Sequence, residues 1–254
     1  MTTPQGAFAD LARSGGRGAL ITVLAGGTPG TKLFVGADRA TAGSLGSPDL
    51  EAAVVEIAEE LMWSERSERR ELGQVTLFVD VTFPAPRLIA FGAVDFAGAL
   101  CRIARATGWR PYVVDPRERF AQPARFPDAE QVIADWPERA FAQLGIDRAT
   151  SIAVLTHDPK LDDVALTLAL RSDAAYIGAM GSRLAQESRR ERLLAQGITE
   201  DELARIAAPI GLDIGALTAG EMALSIMAEV VAVKHGHPGG RLMHASGRIH
   251  EVGV

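Results

Sequence analysis

The stretch Leu88–Arg117, LIAFGAVDFAGALCRIARATGWRPYVVDPR, decides the fold. An apolar run (Leu88, Ile89, Ala90, Phe91) enters a turn at Gly92, and Phe96, Ala97, Leu100, Ile103 and Ala104 then recur at helical spacing. A second apolar run (Tyr112, Val113, Val114) closes on Asp115, about 20 residues beyond the turn, where an acid meets the ribose hydroxyls in dinucleotide-binding folds. Strand, glycine turn, helix, strand and acid together make the opening unit of such a fold. The standard fingerprint G-x-G-x-x-G/A is here Gly92, Val94, Ala97. Val94 replaces the glycine that lets the backbone approach a pyrophosphate, so the fold signal is stronger than the ligand signal.

Working outward, 254 residues leave room for one large domain or two small ones. The 47% hydrophobic and 23% charged residues are those of a globular chain. A net charge of -6, a pI near 5.4 and the lack of a dense basic run give no electrostatic footprint for nucleic acid. The mixed run Glu65–Glu71 (ERSERRE) reads as the solvated end of a helix. Cys101 is the only cysteine, so neither an intramolecular disulfide nor a cysteine zinc site can form, and its place on the helix after the turn suits a small buried hydrophobe. No basic leader with an apolar segment and no run of about 18 apolar residues is present, so neither secretion nor membrane insertion is expected, and the cytoplasm is the expected compartment.

The fold class expected is α/β: a small N-terminal α+β domain over 1–84, then a Rossmann-like parallel-sheet domain over 85–235 and a tail over 236–254. A polar helix opens the chain, and the runs Ala19–Leu24 and Lys32–Gly36 flank a Gly/Pro turn as a hairpin would. Asp49 is placed to cap a helix over Leu50–Arg66 whose apolar face is Val54, Ile57, Ala58 and Leu61. Gln74–Phe83 alternates as a half-buried strand, and Pro84 and Pro86 end it. Strands are expected at 88–91, 111–114, 131–134, 151–156 and 175–178. Helices are expected at 95–107, 136–143, 160–171, 182–196, 199–205 and 218–235, alternating with the strands as in a parallel sheet covered on both faces. The Gly- and His-rich tail is read as a mobile or draping end, with metal binding by His237, His244 and His250 as the alternative.

Three loops at expected strand ends carry candidate chemistry. Thr156, His157 and Asp158 in VLTHD (154–158) could supply a general base or a cofactor contact, or Asp158 could simply cap the next helix. In GAMGSR (178–183), Gly178 and Gly181 lead to Ser182 and Arg183, a hydroxyl and a guanidinium at a helix start, suited to an anion or to plain capping. In PIGLDIGALTAGE (209–221), Gly211 and Gly215 bracket Asp213, a carboxylate expected to be paired or at a site in so apolar a loop. Thr218 and Glu221 have capping-box spacing before a helix with Met222, Ile226, Val230 and Val233 on its apolar face.

In order and spacing, VVDPR (113–117), VLTHD, YIGAMGSR (176–183) and PIGLDIGALTAGE resemble the XdhC/CoxI family, accessory proteins of molybdenum hydroxylases such as xanthine dehydrogenase and carbon monoxide dehydrogenase. The resemblance covers nearly the whole chain. It implies a small N-terminal domain before a Rossmann domain, and a maturation factor rather than an enzyme. Such a factor would receive, protect or insert the molybdenum cofactor, as molybdopterin or its dinucleotide, for a hydroxylase partner. A sulfurtransferase would assist, and a homodimer is the implied assembly. The cofactor would meet Gly92, Ala93, Val94 and Asp95 at the turn, with Asp115 and Arg117 beyond the second strand. Thr156, His157 and Asp158 would line the cleft. Ser182 and Arg183 would hold phosphate, and Gly178, Gly181, Gly211 and Asp213 complete the set.

Two departures stand out. Where the family usually has GSVSGGCVE, this chain has GSLGSPDLE (43–51), with Asp49 in place of the cysteine, and a carboxylate is not a soft ligand for molybdenum. Where the family generally has GAGHVA, this chain has GAVDFA (92–97). Two other classes remain open: an NAD(P)-dependent oxidoreductase using His157 as acid or base, though no Tyr-x-x-x-Lys pair accompanies it, and an interaction subunit with an empty cleft.

Overall fold

The structure, a computed structural model, describes residues 2–245. Two compact units are present, one reaching Pro84 and the other spanning Ala85–Ala245. His250 and the rest of the tail beyond 245 lie outside the described residues.

The first unit opens with α1 (Pro4–Arg13), β1 (Gly18–Ala25), β2 (Lys32–Gly36), β3 (Thr41–Ser44) and α2 (Pro48–Ser64), and closes with β4 (Glu68–Leu72) and β5 (Val75–Thr82). Among the described residues these strands form an antiparallel sheet of five in the order β3-β2-β1-β5-β4. Alternate residues of β1, β2 and β5 (Ile21, Val35, Val79) meet Val54, Ala58 and Leu61 of α2 in one core. Two local features differ from the sequence expectation. Ser47, not Asp49, caps α2, its hydroxyl accepting from the Leu50 amide, while Asp49 stands exposed in the first turn. The charged run does not end α2. The helix stops at Ser64, Glu65 takes a left-handed φ of 55°, and Glu68–Leu72 returns as an edge strand. Alternating Glu and Arg suit an edge, because charge there discourages pairing with another chain.

In the second unit, β6 (Arg87–Phe91), α3 (Asp95–Ala106), β7 (Arg110–Val114), β8 (Gln131–Ile133), α4 (Pro137–Leu144) and β9 (Thr150–Val154) come first. Then follow α5 (Pro159–Leu170), β10 (Tyr176–Ala179), α6 (Arg183–Ala195), α7 (Glu200–Leu203), β11 (Ile206–Ala207) and α8 (Ala219–Lys234). Among the described residues the strands make a parallel sheet of six, β11-β10-β9-β6-β7-β8. Counted from β6, that is the order 3-2-1-4-5-6 of the doubly wound dinucleotide fold, with its switch point between β6 and β9. The pleat divides the strands between two cores. Leu88, Ala90, Val113 and Ala153 pack with α3 and α8, whereas Ile89, Phe91, Val114 and Val154 pack under α4, α5 and α6. Full burial of each large apolar side chain contributes roughly 1.5–3 kcal/mol. Cys101 belongs to the first of these cores, and burial pushes its thiol up to about 12. Val233, expected on the buried face of α8, is 45% exposed, and Ala223 and Met227 are buried instead.

Candidate functional site

The carboxyl ends of β6, β7 and β9 surround a cleft of about 510 Å³ at the switch point. Val94 and Phe96 line it from the start of α3, Arg117 from beyond β7, and Leu155, Thr156, His157, Asp158 and Pro159 from the loop after β9. Gly92, just beyond β6, is a glycine for a steric reason. Its φ is +116°, and a Cβ there would lie 2.3 Å from Thr156 Cγ2, so only glycine lets the two loops approach.

Asp115 is fully buried and does not face outward to a ribose. Its Oδ2 accepts from the Ala93 amide at 2.9 Å and from Arg117 Nη2 at 2.7 Å, and its Oδ1 accepts from the Arg117 amide at 2.9 Å and Nε at 2.8 Å. Burial alone would raise this carboxyl. The Arg117 guanidinium and the Ala93 and Arg117 amides outweigh burial and hold it below the usual carboxylate range. Arg117 is correspondingly raised, first by its bonds to Asp115 and in smaller part by the charge of Asp158.

The other side of the turn is closed by Arg125, which the sequence reading did not single out. Its Nη1 donates to the Ala93 carbonyl at 3.1 Å and the Phe120 carbonyl at 2.9 Å, and its Nη2 to Asp95 at 2.9 Å. Val94 caps α3 with no side-chain hydrogen bond.

The loop after β9 is held from beneath. The Thr156 hydroxyl donates to Asp162 on α5, and Arg189 on α6 donates to Asp162 Oδ2 and to the Met180 carbonyl, each at 3.1 Å. Asp162 and Arg189 are 2% and 5% exposed, and burial pushes the Asp162 carboxyl up. Among the described residues, Arg189 Nε is a buried donor without a hydrogen-bond partner. Next to this pair, Arg192 forms two bonds, at 2.6 and 3.0 Å, to Asp163. Asp158 caps α5, accepting from the Lys160 amide at 3.0 Å, and still lines the cleft, so its capping and lining roles coexist.

The remaining candidates do not line this cleft. Gly178 is packed, since a Cβ would meet Ile210 at 2.4 Å and the Tyr176 hydroxyl at 2.6 Å. Ser182 caps α6, accepting from the Ala185 amide at 3.3 Å, with Gly181 before it and Arg183 exposed after it. Gly211 takes φ +99° against Ser225, and its amide donates at 2.8 Å to Glu229, which also accepts from the Tyr176 hydroxyl. Asp213 is exposed in a loop that the apolar sequence had suggested would be buried, so solvent satisfies its charge. Thr218 and Glu221 form the capping box of α8. Among the described residues no group of three or more His, Cys, Asp or Glu could hold a metal ion, and no helix is long and apolar enough to cross a membrane.

Comparison with known proteins agrees with this architecture. Residues 88–230 match the XdhC Rossmann domain, and residues 11–73 match the XdhC and CoxI family. The chain is 30% identical to a probable xanthine dehydrogenase subunit of Bacillus subtilis, over 62% of this chain and 46% of that protein. It is also 30% identical to the molybdenum cofactor insertion chaperone PaoD of Escherichia coli, over 59% of this chain and 41% of that one. It thus spans less than half the length of the curated relatives it matches. The crystal structure of a xanthine dehydrogenase from Bacillus halodurans shares the fold, with a TM-score of 0.63 at 24% identity over 89% of this chain and 65% of that chain. The chain belongs to the XdhC and CoxI family, and its second unit is the family's Rossmann domain.

Proposed function

We propose that the chain is an accessory factor in the maturation of a molybdenum hydroxylase and that its switch-point cleft receives the molybdopterin part of the molybdenum cofactor. The observation that carries this reading is the cleft itself, set at the carboxyl ends of β6 and β9 where open α/β sheets bind ligands. Its volume lies in the range of small-molecule sites. The names of two relatives, a molybdenum cofactor insertion chaperone and a probable xanthine dehydrogenase component, support the assignment of cargo and partner.

The residues suit a pterin in a definite way. Val94, Phe96, Leu155 and Pro159 offer apolar surface to a flat ring, and the Asp158 carboxylate is an acceptor for ring N–H groups. Arg117 supplies a guanidinium for a phosphate. The molybdenum end has no thiolate to meet in this chain, because Cys101 is buried with a raised pKa and Asp49 is a hard carboxylate. Sulfuration therefore falls to a partner sulfurtransferase, with this chain as carrier and not as sulfur donor. A cytoplasmic homodimer is the proposed working form.

NAD(P)-dependent oxidoreduction has less support. The acid that would meet a ribose is buried and bound to the Ala93 amide and Arg117. The test is to purify the chain from a host that makes the cofactor and measure pterin fluorescence released on denaturation, alongside hydroxylase activity in a strain lacking the gene. Released pterin and lowered hydroxylase activity are expected. No pterin together with unchanged activity refutes the reading.

A further inference from the structure

We infer that the turn Gly92–Asp95 is closed to diphosphates by the chain's own groups, so that the cleft selects a pterin bearing a single phosphate over one conjugated to a nucleotide. This rests on the reading of the cleft as a pterin site. A dinucleotide fold receives its pyrophosphate on free turn amides at a helix N-terminus, with a glycine to admit it and positive potential to hold it. The turn departs from this arrangement at Ala93, Val94 and Asp95. The Ala93 amide already donates to Asp115, a carboxylate fixed by four donors, and so is not available to an incoming anion. The Ala93 carbonyl and the Asp95 carboxylate are both tied by Arg125. Val94 contributes a branched side chain to the cleft wall where glycine would leave space. A diphosphate crossing from the cleft toward β7 would therefore meet the Val94 side chain, the exposed Asp95 carboxylate and no free amide at Ala93.

A single phosphate need not cross the turn. Arg117 stands at the cleft and uses Nε and Nη2 on Asp115, leaving Nη1 without a hydrogen-bond partner among the described residues. One free guanidinium nitrogen at the edge of the cleft matches one phosphate.

The test titrates the full chain separately with CDP, with NAD and with 6-hydroxymethylpterin, as wild type and as the variant V94G/D95N/D115N, with circular dichroism melting to confirm the fold. The wild type should show no saturable binding of CDP or NAD, and the variant should bind at least one of them ~10-fold or more tighter. Should the triple variant fail to fold, V94G/D95N is held to the same criterion. Saturable binding of CDP or NAD by the wild type overturns the inference, and so does a folded variant that gains nothing. The pterin arm separates the two levels: if 6-hydroxymethylpterin binds neither protein while the variant gains diphosphate binding, the pterin assignment fails and the closure of the turn stands.

Discussion

Replacing Asp115 by alanine removes the acceptor that organises the glycine turn, and its cost follows from the four bonds it makes. The Ala93 amide, on a residue only 2% exposed, loses its partner, and an unsatisfied buried donor costs about 1–3 kcal/mol. The Arg117 guanidinium is 42% exposed, so water screens its loss to about 1 kcal/mol. The sum is a destabilisation of ~3 kcal/mol, read as a lower urea midpoint at neutral pH with an unchanged slope. The pH dependence has a definite sign. Because the folded-state pKa of Asp115 is lowered, the stability it contributes is complete above the ordinary carboxyl value of about 3.9 and is lost as pH falls through the lower folded value. The gap between wild type and Asp115→Ala should therefore narrow with acidification. Equal stabilities at neutral pH, or a gap that stays constant into the acid range, would refute the clamp.

Other outcomes follow from neighbouring geometry. Gly92→Ala combines a φ of +116° with a Cβ 2.3 Å from Thr156 Cγ2, so it should cost ~3 kcal/mol in thermal or urea unfolding. It should also displace the loop that lines the cleft. Arg189→Met leaves the Asp162 carboxylate buried without its cation, a loss of about 3 kcal/mol. That figure sits at the low end for buried pairs because Arg189 Nε has no bond to lose. Asp162→Asn should be milder, since burial already favours the neutral form of that side chain. Cys101 is 1% exposed with its thiol pushed up to about 12, so a thiol reagent at neutral pH should label it only after unfolding. Rapid labelling of the native chain would contradict its place in the core.

The parallel sheet was legible because β6, β7 and β9 are short apolar runs between helices of clear 3.6-residue period. Elements with weak local signals were not. β11 is only Ile206–Ala207, β3 is Thr-Ala-Gly-Ser, and β4 alternates Glu and Arg in a way that charge reading assigns to a helix end. Within the site, Gly92, Val94 and the loop Thr156–Asp158 were found from motif spacing. Arg125, Asp162 and Arg189 were not: Arg125 reaches Ala93, 32 residues away, and Arg189 reaches Asp162, 27 residues away, so chain folding and not sequence proximity brings those pairs together. Spacing marks Asp115 as important but points it outward to a ribose. Only the fold reveals that its carboxylate turns inward to the fingerprint amide. Asp213 erred the other way, since apolar neighbours such as Ile214 and Leu217 suggested burial, yet they are 50% and 90% exposed.

What the cleft carries is decided by the identity of the small molecule released on denaturing the chain purified from a cofactor-producing host, by fluorescence and mass, beside Arg117→Glu. A pterin with one phosphate is expected, released by the wild type and depleted in the variant. No pterin, a nucleotide-bearing pterin, or equal amounts from both proteins would contradict it.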